Sequence, residues 1–200
     1  MKKWLIPVII IVALVAIGGF WFVNVNNRLV PMDENVTAQW ANVESSYQRR
    51  ADLIPNIVKT AKGYAEFEQQ TLTQVIEARS KATSVTIDPS NITPEQLAQF
   101  QQAQSGLTSA LSRLLATFER YPDLKANENF KELINELERT ENRINVERNR
   151  FNDQARIFNS EVRQFPTTIA ASILGFERKI YFEADAGSED APEVEFDFNS

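Results

Sequence analysis

The chain has no cysteine and no histidine in 200 residues. A zinc finger, a thiol redox pair, a disulfide framework and any nucleophile activated by imidazole all need residues that are missing. Catalysis here would have to run on carboxylates, Lys, Tyr, Ser or a cofactor. A switch working between about pH 5 and 8 ordinarily uses histidine, so that class is excluded too. Basic residues are not in excess: 21 Lys and Arg stand against 27 Asp and Glu, and a formal charge of -6 gives no electrostatic ground for a nucleic-acid partner. Missing cysteine fits an exported domain without requiring one.

Charge is also absent from Trp4 to Val23 (WLIPVIIIVALVAIGGFWFV). As a helix this run measures roughly 30 Å, the thickness of a bilayer hydrocarbon core. Trp4 at one end and Trp21, between Phe20 and Phe22, at the other suit the two headgroup layers, a membrane belt. Pro7 falls in the first turn, where a missing N–H costs little. A cleaved signal peptide is the competing reading, with Lys2 and Lys3 as its positive region and Ala16 and Gly18 as a small-residue cleavage site. The apolar run continues five residues past Gly18, longer than a signal needs. Lys2, Lys3 and the amino terminus outweigh Arg28 on the other flank, which places the N-terminus in the cytoplasm and the body outside.

The expected order is an anchor over 1–23, a connector over 24–33, a helical bundle over 34–182 and an acidic tail over 183–200. Asn24 to Asn27 and Pro31 mark the connector. Apolar positions then recur in two heptad lines: Val36, Val43, Arg50, Ile57, Tyr64, Thr71, Ala78 and Trp40, Tyr47, Ile54, Ala61, Glu68, Val75, Ala82. Together they predict a single helix about seventy ångströms long, with Arg50, Glu68 and Thr71 as polar interruptions and a kink at Pro55. Residues 83–93 read as a loop closed by a capping box, Thr93 with Gln96, and Pro94 in the first turn. A second helix carries Leu97, Phe100, Leu107, Leu111, Leu114 and Phe118 with one lapse at Gln104, and ends near Tyr121 before Pro122. The third repeats Phe130, Leu137, Ile144, Phe151, Phe158 and Phe165 every seven residues; its other faces are dense in charge. A short fourth helix over 167–174 ends at Gly175.

Three stripes that cannot be buried singly predict an all-α fold: an elongated antiparallel bundle of three long helices plus a short C-terminal one, behind a transmembrane helix. A body of about 150 residues needs no metal or disulfide to fold. The seven acids of the tail account for the negative balance, since residues 1–182 hold twenty acids against 21 bases. Val194, Phe196 and Phe198 alternate with acids at strand spacing.

Several segments together resemble the LemA family of bacterial membrane-anchored proteins: Trp40-Ala41-Asn42-Val43-Glu44, the string QRRADLIPN from Gln48 to Asn56, Lys62-Gly63-Tyr64, Tyr121-Pro122-Asp123-Leu124, Glu136 to Ile144 and Gln164-Phe165-Pro166. The resemblance runs from about Arg28 to Phe182. It implies one N-terminal membrane helix and a helical bundle at the bacterial inner membrane, no established enzymatic activity, and relatives associated with membrane organisation, including magnetosome membranes.

Arg49, Arg50 and Asp52, with Pro55 and Asn56, form the candidate interaction site. Arg50 inside an apolar seam can bind an anionic group of a partner. The simpler reading, which needs only a charge partner, is that it pairs with Glu138, Glu141 or Asp52 and fixes helix register, the best-attested use of buried charge pairs. Glu66, Glu68 and Glu77 lack the histidines of a carboxylate-bridged metal site, so neither a metal nor any other cofactor is expected. Phe151, Phe158 and Phe165 read as core before they read as a cofactor slot. Phe196 and Phe198 can dock on a neighbouring subunit or lie in solvent. The expected function is a non-enzymatic scaffold or adaptor whose partners are the lipid bilayer, further copies of the chain and other membrane proteins. Lipid remodelling, or an enzyme using carboxylate, Lys or Tyr, is the alternative.

Overall fold

The computed structural model describes residues 4–63 and 68–183, and among them every regular element is an α-helix. α1 spans Leu5–Lys62, α2 Gln69–Ser84, α3 Pro94–Phe118, α4 Pro122–Ala126, α5 Glu128–Arg163 and α6 Thr167–Leu174. The all-α bundle expected from the stripes is observed, with six helices. α1 and α5 form the main antiparallel pair, α2 and α3 pack as a second pair, and α2 also rests on α1.

The connector expected over 24–33 is not present. α1 continues through it as helix, with Pro31 inside. Asparagine costs a helix well under 1 kcal/mol per residue and an interior proline about 3 kcal/mol. Both are outweighed because Val25, Leu29 and Val36 are buried on the inner face of this stretch. Pro55 also lies within α1, its exposed ring on the outer face.

A second correction concerns the first heptad seam, which is two helices. α1 ends at Lys62 and α2 starts after Glu68, then packs back on α1, where the Arg79 Nε donates to the Ala51 carbonyl at 2.7 Å. Thr71, Val75 and Ala82 are nevertheless buried as the seam requires. A hydrophobic period records which face is inward and carries no information on chain direction, so a reversal that keeps phase leaves the pattern intact.

The signals at α3 hold in detail. Thr93 Oγ1 accepts from the Gln96 N–H and Gln96 Oε1 accepts from the Thr93 N–H, with Pro94 in the first turn. Along α5, Phe130, Leu137, Ile144, Phe151 and Phe158 are buried. Phe165 departs from the expected seam and is 81% exposed. Pro166 disfavours helix at the residue before it, so α5 ends at Arg163 and the chain leaves the seam through a cis Phe165–Pro166 peptide. α6 stops at Gly175, whose φ of +78° is the left-handed conformation glycine adopts without penalty.

The apolar first part of α1 stands apart from this packing. From Leu5 to Phe20 its side chains are exposed or partly exposed, and burial begins with Trp21 and Phe22 and is complete at Val25. It is long and apolar enough to cross a membrane, and none of it is buried in the protein.

Candidate functional site

Two apolar cores lie along the bundle axis. One is built from Val25 to Tyr47 of α1 with Phe100, Ile144, Phe151 and Phe158; the other from Ile54 to Ala61 with Leu107, Leu114, Phe130 and Leu137. Arg50 falls between them on α1, Gln104 between them on α3, and Glu141 between them on α5. The three polar residues meet in a single layer.

Arg50 is 1% exposed. One terminal nitrogen donates to Glu141 Oε1 at 2.6 Å and to Thr108 Oγ1 at 2.9 Å; the other donates to Gln104 Oε1 at 2.6 Å. The guanidinium also lies over the Tyr47 ring, 5.1 Å from its centroid, a cation–π arrangement. Gln104 is oriented in turn by donating to the Ala82 carbonyl at 3.2 Å. Arg50 Nε is left without a hydrogen-bond partner, as is Trp40 Nε1 in the neighbouring core. An arginine so enclosed has no face open to an external anion. Its set of partners depends on the register of α3 and α5. Sliding α5 by one heptad brings either Ile134 or Arg148 to the place of Glu141, stranding or repelling the buried charge. The same slide of α3 replaces Gln104 by Leu97 or Leu111.

The neighbouring residues divide by exposure. Arg49 leaves the core and donates to Glu136 Oε1 from Nε at 3.0 Å and from a terminal nitrogen at 2.6 Å, while Arg139 reaches the other oxygen at 2.8 Å. Those two guanidinium groups, Arg49 first, hold the Glu136 carboxyl below the usual carboxylate range. Asp52 accepts from Gln48 at 2.8 Å and has Arg79 at 3.9 Å, so it does not serve Arg50. Glu138 is exposed and is not a partner of Arg50 either. The Asn56 carbonyl accepts from Thr60 Oγ1 at 2.9 Å, and the Asn56 side chain, like Pro55, faces outward. Of the three acids expected to serve Arg50, the structure brings Glu141 to it. Trp4 is 83% exposed and Trp21 packs against the first core; Phe196 and Phe198 lie outside the described residues.

Sequence reasoning missed two further arrangements. Glu147, 4% exposed, accepts from Gln39 at 2.7 Å and from Arg150 at 3.0 Å, a buried carboxylate between α1 and α5. Asn152 and Asn159, seven apart on one face of α5, clip the extended chain after α6. Asn159 accepts from the Lys179 N–H and donates to the Lys179 carbonyl, both at 2.7 Å. Asn152 does the same for Phe182, at 2.8 and 2.9 Å. The Phe182 ring then stacks on Trp40, 5.6 Å between centroids and 6° from parallel. Among the described residues no three Asp or Glu side chains gather in a metal-holding group.

The family model for the LemA family matches residues 39–196. The chain is 28% identical over 174 residues to magnetosome protein MamQ 2 of Paramagnetospirillum magneticum, covering 78% of this chain and 64% of that protein. It is 28% identical over 179 residues to magnetosome protein MamQ of Magnetospirillum gryphiswaldense, covering 80% and 66%. Over 133 residues it is 28% identical to protein LemA of Metamycoplasma hominis, covering 66% and 57%. The chain therefore spans just under two thirds, or less, of the length of these relatives.

Proposed function

The chain belongs to the LemA family, and from that premise we propose that it is a membrane-anchored, non-enzymatic scaffold that assembles with copies of itself or organises partner proteins at a bacterial membrane. One observation carries the reading. The apolar run and the first core segment of the bundle are a single helix, Leu5–Lys62, so a bilayer-spanning segment is joined to the body without a hinge. Such a joint holds the bundle at a fixed attitude to the membrane. Confinement to two dimensions raises effective concentration, so weak lateral contacts suffice for assembly.

The polar groups of the bundle are engaged in holding helices together, Arg50 and Glu147 foremost, which supports a mechanical role over a chemical one. Arg28 is ion-paired with Glu161, leaving the positive excess of the span's flanks to Lys2 and Lys3. That balance favours a cytoplasmic N-terminus and a body outside the cytoplasm. The likeness to magnetosome proteins supports work at a membrane surface.

The test is single-molecule photobleaching of fluorescently tagged full-length protein in native membrane fragments. Spots with several bleaching steps are expected. Single steps at every surface density, with no neighbour captured by crosslinking in the same membranes, refute the scaffold. Deleting residues 189–200 isolates the tail: if Phe196 and Phe198 dock on a neighbour, the step count falls.

A further inference from the structure

Outside the span, the described large hydrophobic side chains are at most 47% exposed, with three exceptions: Phe165 at 81%, Ile169 at 52% and Ile173 at 71%. The three are spaced by four, with Ile169 and Ile173 on one stripe of α6 and Phe165 just before it. α6 turns its other face, Thr167, Ala170 and Ala171, into the protein. A stripe this apolar, left outside by an otherwise well-sorted bundle, needs a partner.

Its place in the fold says which. Arg28 donates to Thr167 Oγ1 at 3.1 Å and pairs with Glu161, which fixes the start of α6 beside α1 at the level of Arg28. Arg28 is five residues beyond Val23, the end of the apolar run, or about 7.5 Å along the helix. The headgroup layer adds roughly 5 to 8 Å to each side of the hydrocarbon core. The start of α6, with Phe165 just before it, is thus held beside the point where α1 passes through that layer. Arg163 and Arg178, both exposed, bracket the segment, with Glu177 the one acid between them.

We propose that Phe165, Ile169 and Ile173 form an interfacial foot, inserted into the headgroup layer of the bilayer that α1 crosses. The inference rests on reading residues 4–23 as a membrane span. Helices that lie in an interface sink an apolar face about 5 to 10 Å into it, and three side chains on one short helix give a shallow, local contact of that kind. With the span as one point of attachment and the foot as a second, the bundle cannot swivel freely about α1.

The absence of native cysteine makes the test direct. Full-length protein carrying one environment-sensitive fluorophore, at Ile169→Cys, Leu14→Cys or Ser112→Cys, is reconstituted in vesicles of zwitterionic lipid with a minority of anionic lipid. Nitroxide-labelled lipids then quench from the headgroup or from deep in the acyl chains. The label at 169 is expected to shift to the blue and to be quenched by the headgroup nitroxide, the label at 14 by the deep one, and the label at 112 by neither. Quenching at 14 without quenching at 169 overturns the foot and leaves the span standing. Loss of quenching at 14 overturns the span and the foot with it. A blue shift at 169 that grows with protein density and is insensitive to both nitroxides overturns the foot and assigns the face to a second copy of the chain.

Discussion

Arg50 shows how much one side chain specifies. Arg50→Ala leaves Glu141, Gln104 and Thr108 facing a void, and breaking a buried pair costs about 3 to 5 kcal/mol. The low end applies, roughly 3 kcal/mol, because the Glu141 side chain is 34% exposed and can rehydrate. A denaturant melt of the detergent-solubilised protein measures it. Arg50→Lys is expected to recover part of the loss, since an ammonium serves Glu141 but cannot span to Gln104 at the same time. Arg50→Leu that folds and assembles normally removes the register role. Glu136 predicts a pH effect. Its carboxyl is held below its unfolded-state value by Arg49 and Arg139, so the contribution is complete above that value and is lost as pH falls through the folded one. Glu136→Gln should therefore flatten the acid side of the stability profile and leave neutral stability less dependent on Arg49. The sequence exposed part of this network. Arg50 and Gln104 stand out because each interrupts an apolar stripe, yet that they meet depends on the register between α1 and α3, which neither stripe encodes. Glu136 and Glu147 were hidden in a charge-rich helix, where an acid paired across helices or buried looks like its solvated neighbours.

At the scale of elements, end signals proved more informative than interiors. Thr93, Pro94 and Gln96 start α3 and Gly175 stops α6 because caps act through local hydrogen bonds and backbone sterics, with no help from distant residues. Gly175→Ala tests the second: a Cβ there meets nothing within 4 Å, so the cost is the backbone's alone, about 1 to 2 kcal/mol, read as a lowered melting temperature. The reversal between α1 and α2 was illegible for the opposite reason, a periodicity blind to direction. The strap over 176–183 was illegible as well, because its two clips are asparagines inside a polar run. Asn159→Ala removes both bonds to Lys179 and should cost about 1 to 3 kcal/mol, with faster proteolysis of the C-terminal segment as its companion signal.

For the molecule as a whole, the decisive fact is that α1 crosses the expected connector as helix. Spin labels at Leu14→Cys and Glu44→Cys are separated by thirty residues, which predicts one narrow distance distribution near 45 Å in pulsed dipolar spectroscopy. Two glycines inserted after Asn27 should broaden it. A broad distribution in the unmodified protein contradicts the rigid joint. The polar layer at Arg50 has a consequence at this scale too. It divides the hydrophobic interior into a half that adjoins the apolar start of α1 and holds the C-terminal strap, and an outer half built on the tips of α1, α3 and α5 with α2 and α4. Buried apolar contact is what makes neighbouring segments open together, so a layer of charge marks a natural seam between two foldons. Amide exchange should show the outer half opening first and the inner half last. Under thermal insult the chain would then fray from its far end while the half beside the apolar run stays packed, a template on which the outer half could close again.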